Sequence, residues 1–265
     1  PLSRGDSVLK ARFEEVSSVA YDPLSANTAL FSGQRPNMLS SVATKNLSRQ
    51  IAVEINDYYM KQMVQTEDMI GDVMASLMGL SYAAYRDDMW VAAKEYFSNP
   101  AGTLLAGQEQ IMTANPSEAG FADEMVETLW DFSENKFKYK STAYNEAGYN
   151  TKAESVSIIM KKNAEFPAFK KLFSDTFNPE FLDTPATIDF VDDFATPAAG
   201  APVGAGDLLA IVVDNRRWDI TPMPDGMTVE SFRNPSRKST AYFTTYEYAF
   251  QNSPFFNAAY IFEHA

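Results

Sequence analysis

Apolar positions in the first part of the chain recur at helical spacing after an irregular start. Residues 1–44 are rich in Ser, Asn, Pro and Ala without a sustained period, which predicts an extended arm and loop. From Leu47 the apolar residues recur about every 3.6 positions, which predicts a helix with one apolar face: Leu47, Ile51, Ile55, Tyr58, Tyr59 and Met63. Two further helical stripes follow, and Asn99-Pro100 ends the second: Ile70, Val73, Met74, Leu77 and Leu80, then Trp90, Ala93, Tyr96 and Phe97.

A helix start is indicated by Asn115-Pro116-Ser117-Glu118. Asn is a common N-cap, Pro suits the first helical position, and a Glu at the third can close a capping box. The helix is expected to continue to about Phe137, because apolar residues then repeat at helical spacing: Phe121, Met125, Val126, Leu129, Trp130 and Phe132.

The second half of the chain reads mainly as strands. Ser155–Met160 and Leu208–Val213 are continuous apolar runs typical of buried strands, and Thr187–Val191 alternates with period two. Residues 239–250 alternate as an edge-type strand, and Ser253-Pro254 turns the chain into a last strand, Phe255–Phe262. A short helix is expected over Phe166–Phe173 and a flexible loop over 197–206. Helices followed by strands indicate the α+β class.

Composition excludes several classes of protein without identifying a function. The chain has 265 residues, 45% of them hydrophobic, which suffices for a real core and excludes disorder as its main state. No apolar run is long enough for a membrane span. With no cysteine, thiolate metal sites and cysteine nucleophiles are excluded. The net charge of −13 argues against sequence-specific nucleic-acid binding, because such a surface repels phosphate.

Catalytic motifs are missing from the sequence. His264 is the only histidine and the penultimate residue, where we expect a surface tail, and no nucleophile elbow, phosphate loop or zinc-protease motif is present. Four acidic residues cluster near one strand and could hold a divalent metal, although a solvated acidic loop is the simpler interpretation: Asp183, Asp189, Asp192 and Asp193. No cofactor is therefore expected.

Arg216, Arg217 and Trp218 follow a buried strand in an otherwise acidic chain. Arginine and tryptophan are enriched among the residues that anchor protein interfaces, so these three are candidates for a subunit contact. A local cation–π contact is the alternative.

Residues 210–262 carry a resemblance to a known family. An apolar strand ends in Asp214 and is followed by Trp218; Arg233-Asn234-Pro235 precedes an aromatic strand; and Pro254-Phe-Phe-Asn-Ala-Ala259 leads into the last strand. This order resembles the major capsid proteins of small podoviruses of the phi-29 type, which have the Hong Kong 97-like capsid fold. The resemblance is good over roughly 117–262, plausible for the helices of 45–97 and poor for 1–44.

The resemblance implies the domain organisation. It gives an N-terminal arm and extended loop over 1–44, an axial domain over 151–213, and a peripheral domain over 45–150 and 214–265 that includes a spine helix at 117–137. Arg233, Asn234 and Pro235 are implied to form a structural turn or a charged contact with a neighbouring subunit, and the loop 197–206 is implied to lie near the capsomer axis.

The implied function is mechanical. Copies of the chain would form pentamers and hexamers of an icosahedral phage head, assembled in the bacterial cytoplasm with scaffolding and portal proteins. The head would enclose double-stranded DNA without sequence-specific binding or membrane. The alternatives are an encapsulin-like shell, which carries cargo protein, an acidic metal-dependent soluble enzyme, and a minor virion protein that forms rings.

Overall fold

The computed structural model divides into two compact units. The first unit comprises Pro1–Val8, Ala43–Phe97 and Ile220–Gln251, and the second comprises Leu9–Val42, Ser98–Asp219 and Asn252–Ala265. The residues that the structure describes are 7–14, 16, 35–56, 58, 61, 67–98, 104–118, 120–162, 186–194 and 204–264.

The described chain is of mixed α+β class. Its helical elements are α1 (Glu67–Ser98), α2 (Phe121–Trp130), a π-helical segment (Asp131–Lys136) and a short 3₁₀ turn (Ala153–Ser155). None of the described helices combines the length and apolarity needed to span a membrane. The strands are β1 (Ser7–Phe13), β2 (Met38–Thr44), β3 (Leu47–Asn56), β4 (Glu109–Ile111), β5 (Val156–Lys161), β6 (Thr187–Val191), β7 (Ala205–Asp214), β8 (Trp218–Asn234), β9 (Ser239–Asn252) and β10 (Ala258–His264).

A three-stranded sheet and helix α1 form the first unit. The strand order is β3-β9-β8, and β3 runs antiparallel to β9 from Leu47 opposite Tyr248 to Asn56 opposite Ser239. Alternate residues of β9 contribute to a cluster with one face of the helix, because successive strand side chains point to opposite faces. The cluster contains Leu47, Ala93, Tyr246 and Phe250, with Tyr85, Met89, Ala92, Tyr96, Phe97 and Tyr248 packed around it.

Tyrosine hydroxyls tie α1 to this sheet. Tyr246 is fully buried and donates its hydroxyl hydrogen to Asp88, and the hydroxyls of Tyr85 and Tyr248 lie 2.7 Å apart in a second hydrogen bond. Burial raises the pKa of Tyr85 to about 12, and the bond to Tyr248 acts in the same direction. The rings of Tyr85 and Tyr246 meet edge to face at 4.9 Å. Polar and aromatic contacts thus fix the helix on the sheet.

The prediction of a helix from Leu47 is wrong over Leu47–Asn56, which is strand β3, and Tyr59 and Met63 of that prediction lie outside the described residues. The apolar residues recur at intervals of four, which matches a helical face but is also a multiple of the strand period of two. Leu47, Ile51 and Ile55 therefore share one face of the strand, while Ser48, Gln50, Ala52 and Glu54 between them are exposed. β-branched residues favour the strand, and pairing with β9 decides it.

Two further expectations for this unit need correction. The helical stripes at 70–80 and 90–97 belong to one helix, α1, although its end at Ser98 agrees with the Asn99-Pro100 stop. Strand β9 was predicted correctly, but it occupies the centre of its sheet and not an edge. Its alternating pattern indicated one buried face, and such a pattern is compatible with either position.

The second unit is built on a five-stranded sheet of order β4-β10-β7-β5-β6. Its central strand β7 is antiparallel to both β10 and β5. Leu209 and Val212 of β7 belong to the cluster that includes α2, whereas Ile211 and Val213 belong to a second cluster. Coverage of both faces explains why Leu208–Val213 is a continuous apolar run rather than an alternating one.

The helix predicted over 117–137 is shorter in the structure, and it consists of an α-helical part followed by a π-helical part. Helix α2 begins at Phe121, after Gly120 with φ of 98°, and π-helical residues Asp131–Lys136 continue it. Residues Asn115–Glu118 form a turn, in which the Glu118 carboxylate accepts the Asn115 amide hydrogen at 3.0 Å, as in a capping box. The side-chain oxygen of Asn115 accepts no hydrogen bond from the described residues, so it does not cap the helix.

The strands predicted in the second half of the sequence are confirmed as β5, β6, β7 and β10. The last strand begins at Ala258 rather than Phe255, because residues 253–257 form a turn. His264 is exposed, as expected, but it is the final residue of β10, opposite Ala205, and not part of a tail.

Residues 7–44 include two strands that the sequence pattern did not indicate. Strands β1 and β2 form a separate two-stranded sheet, called here the ribbon. The helix expected over Phe166–Phe173 and most of the loop expected over 197–206 lie outside the described residues. At the end of that loop, Gly204 has φ of 86°, which favours glycine, and Gly206 already belongs to β7.

Met125 tests the assignment of the core. It is fully buried in the α2 cluster, so Met125→Ala should lower the free energy of unfolding by about 2–5 kcal/mol through lost contacts and a cavity. Met78 is 63% exposed, so Met78→Ala should change it by less than about 0.5 kcal/mol. Urea unfolding of the unassembled subunit measures both, and equal effects would contradict the assignment.

Candidate interface residues and the polar centre at Asp214

The carboxylate of Asp214 lies at the end of β7 and is fully buried. Thr151 donates its hydroxyl hydrogen to one carboxylate oxygen at 2.6 Å, and the backbone amide of Arg216 donates to the other at 2.9 Å. A buried carboxylate is costly unless it is paired and hydrogen-bonded, so its partners are essential to this part of the fold.

Arg216 supplies the charge that neutralises Asp214. Its Nε is 2.9 Å from one carboxylate oxygen and its Nη2 is 2.6 Å from the other, which is the bidentate geometry that favours arginine over lysine. The hydrogen bond with Asp214 raises the pKa of Arg216 further above its ordinary value. The Arg216 guanidinium also lies 4.7 Å from the centre of the Phe256 ring, so the local cation–π alternative is observed within the chain.

Two asparagines extend the polar centre from Asp214 into the turn before β10. Asn257 donates to the hydroxyl oxygen of Thr151 at 2.9 Å, and its backbone oxygen accepts the Asp214 amide hydrogen at 3.0 Å. Asn145 donates to the side-chain oxygen of Asn257 and to the backbone oxygen of Tyr149 at 2.8 Å. The asparagines are 0% and 1% exposed, so hydrogen bonds within the chain replace those that water would make.

Arg217 and Trp218 are also engaged within the second unit. Arg217 is 5% exposed and donates from Nη1 to the backbone oxygen of Phe256. Trp218 is partly buried and packs against the apolar cluster that includes Val213. All three residues of the Arg216–Trp218 group therefore have a structural role in the chain. Their role as a subunit interface stays a prediction, for which Arg216 has a side chain that is 54% exposed.

Arg233, Asn234 and Pro235 lie where β8 turns into β9. Arg233 and Pro235 are exposed, and the Asn234 side-chain oxygen accepts the Ser236 hydroxyl hydrogen at 2.7 Å and the Arg237 amide hydrogen at 3.3 Å. Asparagine commonly stabilises a turn in this way. The turn itself comprises residues 235–238, and Arg233 and Asn234 are the last residues of β8. With Arg237 and Lys238 the turn is also a basic tip on an acidic chain.

The described acidic residues near β6 show no arrangement suited to a metal. Asp193 is 3.1 Å from Lys161, which also contacts Asp207 at 3.1 Å. Across the described part of the chain, no group of three or more His, Cys, Asp or Glu residues is placed to hold a metal ion. Asp183 lies outside that part. A lysine thus neutralises two of the nearby carboxylates.

Sequence reasoning located Arg216, Arg217 and Trp218 but missed the residues around them. Asp214 was noted only as the end of a strand. Asn145 and Thr151 lie in one loop before β5, and Asn257 lies far along the chain, just before β10. A polar residue directly after a fully apolar strand was the one available signal. Partners at separations of 63 and 106 residues cannot be inferred from local spacing.

Structures of phage and phage-like capsids share this fold. Similarity extends to a chain in the capsid of Staphylococcus phage Andhra, with a TM-score of 0.69, 15% identity, and coverage of 100% of this chain and 82% of the other. A chain in the capsid of an empty GTA particle gives a TM-score of 0.59 at 11% identity, covering 99% and 86%. A chain in the capsid of Cyanophage P-SCSP1u gives a TM-score of 0.55 at 11% identity, covering 99% of this chain and 84% of the other. The fold is thus of the Hong Kong 97-like capsid type.

The family is defined by the sequence itself. Residues 5–262 match the model of the Phi29-like phage major capsid protein, so the chain belongs to that family. No curated protein matches it significantly. The chain is a structural shell protein of the virion, and the encapsulin-like and enzymatic alternatives are not favoured.

Loss of Arg216 should destabilise the second unit. Arg216→Ala leaves the buried Asp214 carboxylate without its bidentate partner, at a cost of about 1–3 kcal/mol once solvent access to the half-exposed guanidinium is considered. Lys152→Ala is the control, because the Lys152 side chain is 82% exposed and its ion pair with Glu154 is long, at 4.0 Å, and therefore weak. Urea unfolding of the unassembled subunit measures both. A loss below about 0.5 kcal/mol for Arg216→Ala would contradict the structural role.

Proposed function

We propose that this chain forms the pentamers and hexamers of an icosahedral phage head that encloses double-stranded DNA. The observation that carries this proposal is the match to the Phi29-like major capsid family over residues 5–262. The described fold is consistent with it, because a shell subunit must keep its shape while making several different contacts. The three-stranded and the five-stranded sheet, each with its own apolar core, meet that requirement.

The role is structural rather than enzymatic in this proposal. Support comes from the family, whose name describes a shell component, and from the engagement of the buried polar groups at Asp214 in contacts within the chain. Scaffolding and portal proteins are the proposed partners during assembly. The net charge of −13 supports enclosure of DNA without sequence-specific binding.

The division into an arm, a peripheral domain and an axial domain is proposed for the assembled head. These names describe positions around a capsomer axis, whereas the two compact units are defined within one chain. The axial assignment of 151–213 fits β5, β6 and β7, which lie in one sheet. Since β4 and β10 complete that sheet, we extend the proposed axial domain to include them. The arm and extended loop over 1–44 then contain the ribbon.

The basic turn at Arg233 is the proposed charged contact between subunits. The six residues 233–238 include three cations, Arg233, Arg237 and Lys238. The chain as a whole is acidic, so a second copy offers many carboxylates to pair with these cations. Complementary charge guides encounter and register between copies more than it adds affinity. The group Arg216, Arg217 and Trp218 is proposed to contribute to an interface through the exposed side chain of Arg216.

Particle size tests the proposed function directly. Sedimentation and negative-stain microscopy of the purified chain, with and without its scaffolding protein, should show closed megadalton shells. Rings would instead favour a minor virion protein, and an enzyme that co-purifies inside the shells would favour the encapsulin-like alternative. A monomer that persists at high concentration under all conditions would refute shell formation.

Arg233→Ala should reduce shell yield while the subunit stays folded. Arg233 is exposed at the turn, so its truncation should change the free energy of unfolding by less than about 0.5 kcal/mol. The expected loss is in the fraction of protein that sediments as shells, because one cation of the proposed contact is gone. Lys152→Ala removes an exposed positive charge elsewhere and serves as the control. Equal shell yields for the two variants would exclude a role for Arg233.

A further inference from the structure

The ribbon has its polar and apolar faces reversed from the usual arrangement. Strand side chains alternate between two faces, so Lys10 and Arg12 lie on one side of β1, and Leu9 and Phe13 lie on the other. The apolar side is exposed, and β2 contributes similarly exposed apolar residues. The exposed fractions are 66% for Leu9, 60% for Phe13, 66% for Met38 and 57% for Val42.

The cationic side of β1 contacts the rest of the second unit. Lys10 forms an ion pair with Asp219, and the Arg12 guanidinium lies 5.3 Å from the centre of the Phe256 ring. Beside these contacts, the Tyr149 hydroxyl donates to the backbone oxygen of Phe13. The charged side of β1 thus contacts the second unit, with Arg12 still exposed to solvent, and the apolar side makes no comparable contact.

Phe256 is a rigid platform for this contact. Its side chain is 5% exposed and stacks with Tyr149 at a centroid distance of 6.4 Å, with 25° between the rings. Arg216, already paired with Asp214, lies over the same ring, and Leu39 of β2 packs against the cluster that contains it. The Phe256 ring is therefore the point at which the ribbon and the polar centre meet, beside the contacts of Lys10 and Phe13.

The ribbon depends on these contacts for its direction. A two-stranded ribbon is at best marginally stable alone, and its own apolar face has no cover among the described residues of its unit. The side chains of the Lys10–Asp219 ion pair are 34% and 39% exposed, so solvent weakens this ion pair. Arg12 has a planar guanidinium suited to stacking on an aromatic face, so its contact with Phe256 is the more specific one.

We propose that Arg12 is a positioning residue, which holds the ribbon on the Phe256 platform in the unassembled subunit with Leu9, Phe13, Met38 and Val42 facing outward. The proposal rests on the shell-forming role of the chain, because a second copy is the partner that the outward face then meets during assembly. In this arrangement the subunit presents its apolar contact surface already oriented. Assembly does not have to order the ribbon first, and such preorganisation favours binding.

Hydrogen exchange of the unassembled full-length subunit tests the attachment. Arg12→Ala should accelerate amide exchange in 7–13 and 38–42 by about fivefold, the effect of losing one cation–π contact, and leave α2 and β7 unchanged. Arg12→Lys should give a smaller acceleration, since lysine keeps the charge but not the planar stacking. Arg35→Ala is the control, because Arg35 is an exposed arginine just before β2.

The yield of shells, measured by sedimentation, tests the consequence. Arg12→Ala should lower the yield, and Arg35→Ala should not. Unchanged exchange in the ribbon would refute the attachment, and faster exchange with a normal yield of shells would refute the positioning role. Failure of the wild-type chain to form shells would count against the proposed function instead, while the exchange experiment would still decide the attachment.

Discussion

The buried carboxylate of Asp214 is the constraint on which the second unit depends. It lies at the end of the central strand of the larger sheet, and no solvent reaches it. A charge in that position must be neutralised and fully hydrogen-bonded, which fixes Thr151 and Arg216 around it. Asn257, the next residue in this network, precedes β10 and sets the start of that strand beside β7. The same carboxylate therefore orders both the interior and the turn that follows β7.

At the outer edge of this network, the Arg216 side chain is exposed to solvent. Arg216 holds the carboxylate on one side and contacts the Phe256 ring on the other, and that ring also receives Arg12 from the ribbon. Residues that look like surface anchors in the sequence thus serve first to stabilise the chain. In a subunit that assembles into a large shell, contacts that stabilise the interior also hold the contact surfaces in a defined direction, which favours binding.

The first unit follows a different physical rule. Its helix is fixed on the sheet by tyrosine side chains, whose rings supply apolar contact and whose hydroxyls find partners in Asp88 and in one another. Polar groups are therefore satisfied at a helix–sheet boundary rather than around a buried charge. The basic turn between β8 and β9 is exposed at the surface of this unit, and the hydrogen bonds of Asn234 fix its geometry.

The sequence by itself excluded cysteine chemistry and indicated the α+β class, the strands β5, β6, β7, β9 and β10, and the family resemblance through residues 210–262. Each of these depends on local composition or on the order of elements. Tertiary structure decided the rest. The segment from Leu47 is a strand because β9 pairs with it, and the spacing of its apolar residues fits either structure. The network of Asp214, Asn257 and Asn145 joins residues far apart in the chain, which no local pattern encodes. The ribbon was not predicted because residues 1–44 show no sustained period, and only the surrounding fold shows which face of its strands makes contacts.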